Sequence, residues 1–361
     1  MKRRRAVLAW LAAASFALAA GCNGLAGIHD PIEPLDAGGG EPDGGDDAVA
    51  PPEDAPIDDA PISVPPPAPC TGPCAPTPAS AATFVQSVAL DPSGATAYFT
   101  SQVPPAIYAV SPDAADAAAP RKVADLTSTP YGLAVTSSRI YWIGYTGASS
   151  AVYSRAIGAD AAAPIDQLSP LLYGPTGGIA AKDEIVYVSD SGGAQGSGTV
   201  WRIDGLAAIA YGPCSRSFAV AADHGGAFVM DDGGTDIVGF QGSKANADPP
   251  VLADFTGGVG LAVNDTTVFF TTGGASGAVR SFQKLGAPSP RYLATDQSDA
   301  SAIATDANGD VYWGSSGALA TNAGGFTHVI ATPAATPTSI AAAPRRVLFV
   351  AGGALWTIAK P

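Results

Sequence analysis

The sequence predicts an all-β chain whose later three-quarters fold as a seven-bladed β-propeller. Three observations carry that prediction. First, 43 Gly and 32 Pro stand among the 361 residues while charged residues make up only 14%, a composition poor in the residue types that long helices need. Second, an apolar-Ala motif returns seven times, at Ala89, Ala134, Ala180, Ala219, Ala262, Ala304 and Ala341, with spacings between 37 and 46 residues. Third, each return is followed within seven to nine residues by a bulky pair: Tyr98-Phe99, Tyr141-Trp142, Tyr187-Val188, Phe228-Val229, Phe269-Phe270, Tyr312-Trp313 and Leu348-Phe349. Short strands recurring at a fixed period, separated by turn residues, are the signature of radial β-repeats.

Each unit reads as four strands. The apolar-Ala motif is the innermost, where small side chains let seven strands crowd one axis. The bulky pair lies on the second strand, fills the gap between blades, and contributes about 1.5–3 kcal/mol per fully buried side chain. Turns such as Asp91-Pro-Ser-Gly94 and Asp306-Ala-Asn-Gly-Asp310 join these two strands with hairpin chemistry. A Gly/Ser-rich gap leads to a third strand (Ile107-Tyr108, Val152-Tyr153, Val200-Trp201 and their equivalents). A weaker fourth follows (Val123-Ala124, Leu168, Leu252-Ala253). The seventh repeat stops after its third strand. Ala81-Ala82-Thr83-Phe84 is similar to the fourth-strand run Val251–Phe255, so residues near 80–85 are expected to complete the last blade and remove the exposed sheet edge.

Ahead of the propeller domain, 81–361, lie two segments of different character. Residues 1–21 read as a lipoprotein signal peptide: Lys2-Arg3-Arg4-Arg5 is a positive start, and Ala6–Ala20 is apolar but short for a membrane span. Leu18-Ala19-Ala20-Gly21-Cys22 resembles the bacterial lipobox. Lipidation is therefore expected at Cys22, whose acyl chains would anchor the protein at about 0.8 kcal/mol per buried CH₂. Asn23 in place of Asp favours the outer membrane, facing either periplasm or cell surface. Residues 22–80 read as a disordered acidic tether rich in Pro, Gly and Ala, with no Lys or Arg. Its residues 29–80 alone would reach about 40 Å as a coil and about 160 Å when extended.

The net charge of −14 gives no attraction to phosphate backbones, so nucleic acid is not an expected partner. Of the four cysteines, Cys70 and Cys74 are locally placed for a disulfide, and either could instead reach Cys214. The sequence leaves that choice open.

Tyr141-Trp142-Ile143-Gly144 and Tyr312-Trp313-Gly314-Ser315 resemble the YWTD-type propeller repeat, and Gly132-Leu133-Ala134-Val135 and Gly260-Leu261-Ala262-Val263 are similar to NHL-type repeats. The chain as a whole resembles propeller lipoproteins of high-GC, myxobacterial-type Gram-negative bacteria. The resemblance implies an envelope-anchored propeller. It also brings a six-bladed alternative, six being the usual count among YWTD-type rings.

In this architecture the loops joining strands two to three, and each fourth strand to the next blade, share one face. Tyr145, Asp190, Asp231, Asp232 and Asp236 fall there and are the candidate ligand-binding residues. The four carboxylates also suit Ca²⁺, although Asp beside Gly more often just shapes a turn. Tyr131 and Tyr173 lie near the same face. His224 and His328 have no sequence neighbour that would make either a base, and Glu184 is the propeller's one Glu. No nucleophile elbow, phosphate loop or paired-His motif is present, so no catalytic residue is assigned. The expected role is a monomeric, non-catalytic module that binds protein, peptide or glycan. A Ca²⁺-dependent lactonase or lyase, and a structural envelope protein, are the alternatives.

Overall fold

The computed structural model describes residues 76–80, 82–113, 119–147, 149–160, 163–169, 172, 178–191, 198–231, 233–242, 249–285 and 289–360. They form seven four-stranded antiparallel sheets. In chain order, blade 1 is Val85–Leu90, Ala97–Gln102, Pro105–Val110 and Arg121–Asp125. Blade 2 is Thr129–Val135, Arg139–Tyr145, Ser150–Ala156 and Asp166–Gln167. Blade 3 is Ile179–Lys182, Ile185–Ser189, Gly198–Asp204 and Ala207–Cys214. Blade 4 is Ala219–Asp223, Gly226–Asp231, Asp236–Gln241 and Val251–Asp254. Blade 5 is Gly258–Val263, Thr267–Thr272, Ala278–Gln283 and Arg291–Ala294. Blade 6 is Ile303–Thr305, Val311–Ser315, Ala318–Thr321 and His328–Ala331. Blade 7 is Ser339–Ala342, Arg346–Ala351 and Ala354–Ala359, completed by Thr77–Pro78. The first strand of each blade contacts the first strands of both neighbours, and blade 7 contacts blade 1. The ring is closed with seven members, which sets aside the six-bladed alternative.

The alternation of strand side chains explains the bulky pairs. Seven hydrophobic clusters form, one per blade-to-blade interface. Tyr98 joins Leu133, Ile140 and Trp142 of blade 2, while its neighbour Phe99 joins Leu348 and Leu355 of blade 7. Tyr141 and Trp142, Phe269 and Phe270, and Tyr312 and Trp313 divide in the same way. Successive side chains point to opposite sheet faces, so one pair on one strand serves two interfaces. The recurrent Ala lies directly across from the first member: Ala89 from Tyr98, Ala134 from Tyr141, Ala262 from Phe269, Ala304 from Tyr312. In blade 4 the equivalent residue is Ala221, opposite Phe228; Ala219, expected there from the sequence, pairs with Met230 two places away. Two apolar-Ala steps follow one another in Phe218–Ala222, and only pairing distinguishes them.

Inner strands approach each other most closely at their starts, and glycine makes this possible. A Cβ on Gly178 would lie 2.6 Å from the Val220 nitrogen of the next blade, and one on Gly260 would lie 2.4 Å from the Ser301 carbonyl. Bulges interrupt the first ladder in blades 1, 2 and 5, and hydroxyls satisfy amides near two of them. Ser87 N donates to Thr100 Oγ1 at 3.2 Å, and Gly260 N to Thr271 Oγ1 at 2.9 Å. The same hydroxyl of Thr271 then donates across the interface to Ser301 O, and Ser301 Oγ to Pro337 O. Leaving such amides unpaired in the interior would cost about 1–3 kcal/mol each.

Closure occurs where the two ends of the ring meet, but not through the residues the sequence suggested. Thr77 and Pro78 pair with Thr357 and Trp356, ahead of residue 81. Ala79 N donates to Leu355 O, and its side chain is buried in the blade 7–blade 1 cluster. The likeness of Ala81–Phe84 to Val251–Phe255 fails on its aromatic residue. Phe255 is buried against Phe270, whereas Phe84 is 58% exposed with φ of +58°. It turns the chain into blade 1, where its carbonyl accepts from Gln102 N instead of joining blade 7.

Candidate functional site

Three of the predicted carboxylates converge at the junction of blades 3 and 4. Asp190 follows the second strand of blade 3, and Asp231 and Asp236 face each other across the second and third strands of blade 4. Two of them help close the loops they stand in. Asp190 N donates to Thr199 O, closing the loop between strands, and Asp231 O accepts from Gly234 N and Thr235 N. The Asp231 carboxylate accepts from Ser215 N at 2.5 Å. Between Asp190 and Asp231 sits Cys214, a buried free thiol donating to Asp190 O at 3.3 Å. Among the described residues no group of three His, Cys, Asp or Glu is placed to hold a metal ion. Asp232, Tyr173, Cys22, Cys70 and Cys74 lie outside the described residues.

Burial, reinforced by the charges of Asp231 and Asp190 and only partly offset by the Ser217 hydroxyl, pushes the Cys214 thiol up to about 11. The native thiol is therefore expected to resist iodoacetamide at pH 8 and to react once the ring is unfolded, as measured by mass shift with and without guanidinium. Linkage has a definite sign here. Between the ordinary thiol value near 8.5 and about 11, the unfolded chain loses the proton and the folded chain keeps it, so this group's stabilisation is lost as pH rises through that window.

Tyr145, at the end of the second strand of blade 2, meets Tyr131 edge-to-face with ring centroids 5.8 Å apart, and its hydroxyl donates to Gly147 O at 2.7 Å. Phe84, Val103 and Val259 are exposed on the same face of the ring, at 58%, 60% and 40%. This face is also acidic. Among the described residues its loops and strand ends carry Asp125, Asp190, Asp231, Asp236, Asp254, Asp296 and Asp299 against Arg216 and Lys122, the latter 2.9 Å from the Asp125 carboxylate.

The opposite face has both charges interleaved. Lys284 reaches from the end of the third strand of blade 5 to Asp223 at the end of the first strand of blade 4, and its ammonium lies 5.4 Å from the Phe228 ring centroid. Two blades on, Lys360 makes the same contact with Asp306, over Tyr312 at 5.3 Å. The Asp side chains are 11% and 3% exposed. Each also caps its own turn: Asp223 Oδ1 accepts from Gly225 N and Gly226 N, and Asp306 Oδ1 from Asn308 N and Asp310 N. Sequence reasoning missed these pairs. The visible signal was a Lys directly after a third strand, one blade after an Asp closing a first strand.

The remaining candidates on this face also link turns. Glu184 accepts from the Ser137 amide at 2.9 Å, the Ser138 hydroxyl at 2.6 Å and the Ser137 hydroxyl. Desolvation alone would raise its pKa, but these hydrogen bonds more than offset it and hold the carboxyl low. His224 Nδ1 lies 2.7 Å from Asp183 Oδ2, and His328 Nδ1 lies 3.0 Å from Phe326 O; both contacts are exposed.

The ring has the shape of known propellers. It is similar to the WD40 β-propeller domain of Doa1 at 13% identity and a TM-score of 0.59, covering 77% of this chain and 93% of that one. It is similar to YCF48, described as bound to D1 peptide, at 10% identity and a TM-score of 0.59, covering 83% of this chain and all of that one. Virginiamycin B lyase from Staphylococcus aureus matches at 12% identity and a TM-score of 0.58, over 77% of this chain and 96% of that one. At these identities the likeness shows the fold alone. No family model and no curated protein matches the chain.

Proposed function

We propose that this propeller is a non-catalytic binding module of the cell envelope, held there by an acylated Cys22, and that its acidic face takes a basic segment of a protein or peptide. One observation carries the reading: exposed Phe84, Val103 and Val259 share a face with seven Asp, of which Asp125 is ion-paired with Lys122, and with Arg216. Apolar anchors inside a field of one sign suit a partner of opposite charge with apolar side chains of its own. At the junction of blades 3 and 4 the Asp231 carboxylate is taken up by the Ser215 amide, which suits a surface better than acid–base work. YCF48, a protein of similar fold, is described with a peptide bound.

Basic amphipathic peptides should bind the full chain, and charge-matched acidic peptides should not. Asp254→Lys with Asp299→Lys should weaken the basic peptides at least tenfold. Equal binding of both peptide classes, or no binding of either, would overturn the assignment. Stoichiometric Ca²⁺ or Zn²⁺ in the purified protein would favour a metal-dependent lactonase or lyase in its place. Radiolabelled palmitate should enter the wild-type chain and be lost in Cys22→Ser, with release from the membrane fraction.

A further inference from the structure

On the face opposite the acidic one, a cleft of about 490 Å³ opens between blades 4 and 5, within the roughly 300–1,000 Å³ of small-molecule pockets. Its lining includes Asp223, Lys284 and Phe228, the ion pair and aromatic ring already described. Around these stand Gln241, Gln283, Asp265, Thr266 and His224, with Leu285 fully in solvent at 89% exposure. The equivalent pair of Asp306 and Lys360 shows that the ion pair is by itself a tie between blades. The assignment rests on the polar side chains around the cleft.

Those side chains specify a chemistry. The Lys284 charge is met by Asp223, so the cleft offers an anion no uncommitted cation, and Asp265 would repel one. The Gln283 amide nitrogen donates to Thr267 Oγ1 at 3.2 Å, which leaves its oxygen as an acceptor and its second N–H as a donor. With His224 Nδ1 against the Asp183 carboxylate, which only accepts, the neutral ring carries its proton on Nδ1 and offers Nε2 as an acceptor. Amides that give and take, beside a carboxylate and an imidazole that take, match hydroxyl groups, which do both. We infer that this cleft binds an uncharged polyhydroxylated molecule, a saccharide unit. The inference is independent of the peptide reading for the other face.

Saturation-transfer NMR on the full chain with glucose, galactose, N-acetylglucosamine and their β-linked disaccharides tests it. At least one should give signal. Asp265→Ala and Gln283→Ala should each weaken that sugar by about fivefold, the loss of one ordinary hydrogen bond. Thr266→Trp, on an exposed turn, should block the mouth and abolish the signal while leaving the melting temperature and basic-peptide binding unchanged. Silence from the whole panel, or a signal that survives Thr266→Trp, would overturn the inference. So would succinate or arginine amide binding in the cleft where sugars do not.

Discussion

Replacing Lys360 with Met is expected to destabilise the ring by about 3–5 kcal/mol, because it strands a carboxylate that has almost no access to water. Asp306 is 3% exposed at its side chain and Lys360 is 12% exposed. Met keeps most of the methylene stem, so the loss comes from the ammonium, whose contacts with Asp306 and with the Tyr312 ring centroid 5.3 Å away both go. Adding Asp306→Asn should recover at least half of it. An amide oxygen still caps the Asn308 and Asp310 amides but carries no charge to desolvate. Guanidinium melts of the wild type, the single variant and the double variant measure the three values. A loss below 1 kcal/mol in Lys360→Met would show that water reaches Asp306. Lys284→Met should be milder, since Asp223 is 11% exposed.

Removing the closing strand should be the next most damaging change. A chain beginning at Ala82 is expected to melt about 5–10 °C below one beginning at Pro76, taking roughly 2 °C per kcal/mol for a ring of this size. It gives up the pairing of Thr77 and Pro78 with Thr357 and Trp356, the Ala79–Leu355 hydrogen bond and the buried Ala79 side chain. It also bares the edge of Ala354–Ala359, so the shortened chain should self-associate on size-exclusion chromatography. Equal melting of the two chains would mean that blade 7 holds with three strands.

The architecture was legible because radial packing repeats one demand seven times. A small residue must sit across from a bulky one, and Ala134 against Tyr141 or Ala262 against Phe269 writes that demand in the sequence. Legibility failed where a backbone bond, rather than a side chain, does the work. Thr77–Pro78 is a two-residue strand with both residues exposed, so it leaves no alternation to read. Residues 81–84 looked apolar enough to take its place. The site was harder still. Asp190 and Asp231 were found by residue type and by loop, but a sequence does not say that Asp231 will spend its carboxylate on Ser215 N. Lys284 and Lys360 depend on contacts 61 and 54 residues away, a separation that only the ring brings together.

The uneven sharing of charge between the two faces makes the disk an electric dipole directed along its own axis. A cationic molecule diffusing nearby would be turned and drawn toward one side before any contact forms, as happens at other surfaces with a concentrated field. Most of that pull acts within a Debye length, about 8 Å at physiological salt. Association should therefore slow steeply as ionic strength rises while dissociation changes little, and the ring would select the orientation of its partner during approach.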